Sequence, residues 1–189
     1  MVVNTGVKYP GTAGQTTIAP WDDWDWQNIN NALTDDTTYA TITNDGYDIG
    51  TYTYIAKFSN FGFSVPAGNL IVGILVEIGA GADASEYSKF DLVQLSKNNT
   101  DRVGSNLSSG AELTAAIVNY SFGGSANLWG TTWTPAEINS TNFAVFVAFT
   151  PTYNNSDIYL DYVRVTVYYA PEEKASSDGD MKLLLTLDI

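Results

Sequence analysis

The stretch around which the chain is organised runs from Tyr52 to Ile78, two apolar runs in succession. It is interrupted by Val65-Pro66-Ala67-Gly68-Asn69, where proline presets φ and glycine and asparagine tolerate positive φ, so the chain reverses there. The second run alternates. Leu70, Val72, Ile74, Val76 and Ile78 fall on one face of an extended strand, and Ile71, Gly73, Leu75 and Glu77 on the other. Both faces are largely apolar, which predicts a central strand covered on both sides.

The same period of two recurs downstream. Ser88 to Ser96 predicts a strand with Phe90, Leu92 and Gln94 on one face and Asp91, Val93 and Leu95 on the other. Lys97 to Asp101 follows as a polar, hairpin-like loop. Phe143 to Phe149 predicts a second buried strand. Ile158 to Tyr169 predicts the longest clean one, with Tyr159, Asp161, Val163, Val165, Val167 and Tyr169 sharing a face. Leu113 to Tyr120 suits a short helix by its alanines and a strand by Ile117, Val118 and Tyr120, and strand is favoured in this company. Thr134-Pro135-Ala136-Glu137 is a capping box with proline at the first helical position, so one short helix is expected near 135–139. Upstream, residues 1–51 are loop-rich. They hold short strands near Thr16 to Ile18 and Tyr39 to Thr43 and a helical turn near Asn28 to Leu33.

Composition agrees with an all-β chain. Its 189 residues include 12 Tyr, 8 Phe and 5 Trp, which suit a pleated sheet, and 16 Gly for turns. With no Cys and no His, thiol chemistry, zinc–thiolate sites and the imidazole of a Ser-His-Asp triad are unavailable. Carboxylates alone still permit calcium binding or glycoside hydrolysis. A formal charge of −13 repels phosphate backbones and anionic lipid, so neither nucleic acid nor membrane is expected as a partner. The opening MVVNTGVKYPG lacks the cationic-then-apolar pattern of a signal peptide, and no apolar run reaches the ~18 residues of a membrane span. Synthesis in a cytoplasm is the expectation.

Three groups of residues invite a chemical reading. In Trp21-Asp22-Asp23-Trp24-Asp25-Trp26, the indoles either cap one end of a sandwich while the aspartates face solvent, or Trp21, Trp24 and Trp26 form a glycan platform. Asp35, Asp36, Asp45 and Asp48 are either solvated loop carboxylates or weak calcium ligands whose spacing does not match an EF-hand. Asp161, placed by parity on the Val163 face, needs hydrogen bonds, a cation or a shifted pKa. A structural Asp bonded to loop amides, a calcium ligand and a catalytic carboxylate are its three readings. The last lacks a second acid at recognisable spacing.

At Ala170-Pro171 the composition changes. Residues 171–180 are charged and small and are expected to be a linker after a domain spanning 1–170. Residues 181–189 then form an apolar strand with Met181, Leu183, Leu185 and Leu187 on one face. Such a strand free in water is an aggregation hazard, so it is expected to dock on a sheet edge, a neighbour's or its own.

Several motifs come in a familiar order: Lys8-Tyr9-Pro10-Gly11-Thr12-Ala13, Trp26 to Asn31, Asp35 to Ala40, Phe61-Gly62-Phe63-Ser64-Val65-Pro66-Ala67-Gly68 leading to Ile71-Val72-Gly73-Ile74, Leu128 to Asn139, and Asp161 to Tyr169. Across roughly residues 5–170 this order resembles a family of tailed-bacteriophage and prophage virion structural proteins. The resemblance implies a jelly-roll-like antiparallel β-sandwich in the virion, a decoration or fibre-type module without enzymatic activity or cofactor. Implied partners are further copies of the chain, trimers included, and other virion proteins. Each matching motif determines fold and none marks a chemical site. The alternative function is a carbohydrate-binding or receptor-binding lectin-like domain that takes a surface glycan on the Trp21–Trp26 segment.

Overall fold

The computed structural model describes residues 1–43, 49–84, 87–153 and 156–172. Asp45, Asp48, most of the 171–180 segment and the whole 181–189 segment lie outside the described residues. The described residues form ten strands: β1 (Val3–Asn4), β2 (Thr12–Thr16), β3 (Ala40–Ile42), β4 (Ile55–Ser59), β5 (Asn69–Ala82), β6 (Ser88–Ser96), β7 (Arg102–Val103), β8 (Val118–Gly124), β9 (Ala144–Pro151) and β10 (Ile158–Pro171). A 3-10 turn at Ile29–Ala32 and one helix, α1 (Pro135–Asn139), complete the described elements.

The strands form a jelly-roll-like antiparallel β-sandwich. Sheet A has the order β1-β10-β5-β8, with β3 also paired to β10, and sheet B has the order β2-β4-β9-β6-β7. Between them Ile74, Val76, Ile78 and Ala80 of β5 and Val163, Val165 and Val167 of β10 meet Phe58, Phe90, Val93, Leu95, Val145, Val147 and Phe149 of sheet B. The capping box forms as expected: the Thr134 hydroxyl accepts from the Glu137 amide and the Glu137 carboxylate accepts from the Thr134 amide. Leu113 to Ile117 precede β8 as loop, so that strand starts later than the apolar pattern suggested.

Strict alternation fails at three places, and each is a β-bulge, one extra residue that flips the faces beyond it. Tyr168 pairs with Gly73 but Tyr169 with Ile71, which leaves Val72 as the extra residue. Ile71 therefore joins the core and Leu70 is half exposed, against the period-two expectation. Phe90 pairs with Phe149 and Leu92 with Ala148, so Asp91 is the extra residue of β6; Phe90 joins the inter-sheet core while Leu92 turns to the outer face of sheet B. Leu160 pairs with Ala80 and Tyr162 with Gly79, so Asp161 is the extra residue of β10. Its expected membership of the Val163 face is thereby corrected: Ile158 and Leu160 before the bulge share the core with Val163 and Val165 after it, and Tyr159 does not. β5 is central, as expected. Its outer face is only partly covered, with Leu75 and Glu77 half-buried.

Two positions show why side chains are missing. A Cβ on Gly79 would lie 2.3 Å from the Tyr162 ring, which crosses that glycine to reach β8. On Gly73 it would meet the backbone of Gly124 and Ser125 at 2.3–2.4 Å, where the turn after β8 crosses β5.

Candidate functional site

The three indoles of the 21–26 segment are dispersed rather than coplanar. Trp26 is 3 % exposed, packs edge-to-face on Phe149 at 5.7 Å, and donates its indole N–H to the Tyr54 carbonyl at 3.0 Å. It is a core residue and offers no face to a ligand. Trp24 packs, partly buried, against the same core. Trp21 instead lies on the outer face of sheet B, over Ile55, Leu92, Ala144, Phe146 and Ala148. Asp22, Asp23 and Asp25 are exposed, and two of them serve the local backbone and side chains: Asp23 accepts from the Tyr52 amide at 2.7 Å and Asp25 from the Gln27 carboxamide at 3.2 Å. The segment thus mainly builds structure, and Trp21 alone of its indoles borders an open surface groove.

The acidic candidates come closer together than their spacing suggests. Asp161, 4 % exposed, accepts a hydrogen bond from the Thr37 amide at 3.2 Å and lines a hollow of about 440 Å³ with Asp35, Tyr39, Asn119 and Tyr162. Burial pushes its carboxyl above the usual value, with the charges of Asp35 and Asp36 adding to the rise; the amides of Asp36 and Thr37 oppose it. Asp36 is turned into its own loop, accepting from the Thr34 hydroxyl and the Thr38 amide at 2.9 and 3.0 Å as an Asx turn does. Those two bonds hold its carboxyl below the usual range. Asp35 lies 3.6 Å from Arg164. Among the described residues no three acidic side chains are grouped to hold a metal ion. Asp161 matches the structural reading, a buried carboxyl bonded to loop amides.

Arg164 organises the rest of that face. Its guanidinium grips both oxygens of Glu77 at 3.2 and 3.3 Å, reaches the Tyr9 hydroxyl at 3.4 Å, and stacks 4.8 Å from the Tyr162 ring centre. Burial disfavours the charge, but the bonds from Glu77 and Tyr9 outweigh it and hold the pKa above the ordinary arginine value. The Tyr162 hydroxyl and Asn119 close the network at 3.0 Å. These partners satisfy one another, so the network fastens the N-terminal segment and β8 onto β5 and β10.

The other face with chemistry is the outer side of sheet B. Registers place Lys57, Phe146 and Gln94 side by side across β4, β9 and β6, and Arg102 opposite Ser96. Phe146 is fully buried beneath these neighbours and Trp21. The Trp21 indole N–H donates to Asp91, the bulge residue, at 2.7 Å, and the Arg102 guanidinium lies 4.4 Å over the Trp21 ring. Beside this stack, Ile18, Gln94, Thr100, Asp101 and Arg102 line an open groove of about 400 Å³. Sequence reasoning passed over Arg102, Gln94 and Asp101, because an isolated Arg after a polar loop has no motif. One signal was present: Arg102 is one of only 8 Lys and Arg in the chain.

No protein-family model and no curated protein matches the chain. Among solved structures, it is similar to CBM29_1, a family 29 carbohydrate-binding module from Piromyces equi, with a TM-score of 0.39 and 12% identity over 87% of this chain and 90% of that one. It is also similar to the Stig cyclase Fisc from Fischerella sp. TAU, with a TM-score of 0.37 and 14% identity over 91% and 77% of the two chains. At these values neither likeness bears on function.

Proposed function

We propose that the chain is a non-enzymatic virion structural protein, a decoration or fibre-type module that assembles through its sandwich and through the segment carrying Met181, Leu183, Leu185 and Leu187. The observation that carries this reading is the order of motifs that resembles phage virion proteins, together with where those motifs fall in the fold. Phe61, Phe63 and Phe143 form an aromatic cluster with Trp133, with ring centres 5.4–5.8 Å apart. Trp129 is fully buried and donates to the Ile74 carbonyl at 2.9 Å. Gly73 admits the crossing turn, and Arg164 ties Tyr9 to Glu77. A sequence that spends its most distinctive residues on rigidity suits a particle component, whose work is to hold shape and bind neighbours.

The C-terminal segment supplies the means of joining in this reading. The described chain ends at Glu172, just beyond the pairing of Pro171 with Asn69 at one end of sheet A. An eight-residue spacer after it, 173–180, extends up to ~28 Å, enough to carry an apolar strand beyond the body that made it. The test is deletion of residues 171–189, followed by native mass measurement. The full chain is expected to run as a defined oligomer and the truncated chain as a folded monomer. Equal masses for the two would overturn the docking role of the segment.

A further inference from the structure

The groove beside Trp21 carries an assignment that does not depend on the assembly reading. Its central group is Arg102, a half-buried guanidinium on an otherwise strongly acidic protein. The guanidinium carbon lies 4.4 Å over the ring of Trp21, itself fixed by Asp91. Among the described residues no carboxylate lies within ion-pair distance of Arg102, whereas Arg164 has both Glu77 and Asp35. A guanidinium carries several N–H donors in one plane, and those of Arg102 are available to whatever enters the groove it lines.

The rest of the lining says what that is. Gln94 spends its amide N–H on the Gly104 carbonyl at 2.7 Å, so its carboxamide oxygen is left as an acceptor. Asp101 takes one bond from the Asn98 amide side chain at 2.9 Å through Oδ2, leaving Oδ1 as a second acceptor. Thr100 adds a hydroxyl that serves either way, and Ile18, 40 % exposed, adds an apolar edge. In the neighbouring row, Lys57 has no ion pair among the described residues. The groove therefore offers planar donors and planar acceptors together.

A carboxylate or phosphate ligand would use the donors but be repelled by Asp101. A cation would use Asp101 and be repelled by Arg102. Hydroxyl groups satisfy both, since each donates and accepts. We propose that this groove is a binding site for a neutral oligosaccharide. Arg102 and Asp101 take adjacent hydroxyls, Gln94 receives a third, and Ile18 supports a C–H face of a ring. The volume of about 400 Å³ matches a ligand of one or two sugar rings. This site differs from a platform made of three tryptophans: Trp21 contributes by holding Arg102, while Trp24 and Trp26 contribute nothing to it.

The test uses the full chain on an array of neutral, sialylated and uronic-acid glycans, with calorimetric titration of the strongest neutral glycan found. Arg102→Lys keeps the charge but loses the planar fork, Asp101→Asn loses the charge but keeps the shape, and Gln94→Ala removes an acceptor. Unchanged urea midpoints establish that each variant is folded. The expectation is binding to at least one neutral glycan and a loss of ten-fold or more for Arg102→Lys and Asp101→Asn, with Gln94→Ala weaker by three-fold or more. No glycan bound by the full chain, binding that all three variants retain, or binding of acidic glycans alone would overturn the assignment.

Discussion

Replacing Trp129 by Ala should be among the most damaging single changes in the core. The indole is fully buried, packs in the inter-sheet core, and donates to the Ile74 carbonyl of the central strand. Truncating a buried Trp to Ala costs ~3–5 kcal/mol through lost transfer energy and the cavity left behind. The Ile74 carbonyl then loses a donor in a dry site, adding ~1–3 kcal/mol. Trp129 sits at φ +60, but alanine bears the same left-handed strain, so that cost cancels between the two proteins. The sum, ~4–8 kcal/mol, is a large share of the ~5–15 kcal/mol that holds a domain folded. Trp129→Phe separates the parts, because it keeps most of the ring and removes the N–H, and should cost ~1–3 kcal/mol. Equilibrium urea unfolding followed by far-ultraviolet circular dichroism measures both. A Trp129→Ala cost below ~1.5 kcal/mol would refute the placement of this indole. A Trp129→Phe cost equal to it would refute the division between packing and hydrogen bond.

Two further substitutions probe the bulges and the close contacts. Gly79→Ala puts a methyl 2.3 Å from the Tyr162 ring and should destabilise by ~1–3 kcal/mol, with much of the loss recovered in the Gly79→Ala/Tyr162→Ala double variant, as a thermal unfolding cycle will show. For Asp161 the folded-state carboxyl is raised by burial above its value of 3.8 in the unfolded chain. The native state therefore keeps its proton after the unfolded chain has lost it, and this residue's contribution to stability falls as pH rises from about 3.8 through the folded pKa, then levels. Asp161→Asn, whose side-chain oxygen can still accept from Thr37, should remove that fall; unfolding free energies of both proteins between pH 3 and 8 will show the difference growing with pH. A difference that shrinks with rising pH would contradict the burial argument.

How much of this was written in the residues is best seen strand by strand. The apolar alternation of 70–78, 88–96, 143–149 and 158–169 located the four strands that make most of the core, because burial on one face leaves a period of two. The capping box named α1 to within a residue, since its chemistry is local. What alternation could not reveal were the bulges at Val72, Asp91 and Asp161, where a single added residue shifts the faces. Two of these are the aspartates that fasten distant segments, Asp91 to Trp21 and Asp161 to Thr37, 70 and 124 residues away. The cost of burying a charge singles out Asp161 in the sequence, but the bulge rather than parity sets its face. The groove at Arg102 is not legible in the sequence because it is assembled from β6, β7, the loop between them and the loop after β2, none carrying a motif alone. The tryptophan-rich segment drew attention by composition, yet its rings are shared between the core and the outer face of sheet B.

The assembly account stands most directly on where the segment 181–189 finds its pairing partner. Equal amounts of unlabelled and ¹⁵N-labelled full-length chain, mixed under denaturing conditions and refolded together, are treated with an amine-to-carboxyl cross-linker, and the cross-links of Lys182 are read by mass spectrometry. The account predicts that about half of those links join a light peptide to a heavy one, the statistical share for pairing between chains. Links that join only peptides of the same label would place the segment on its own sandwich and contradict it.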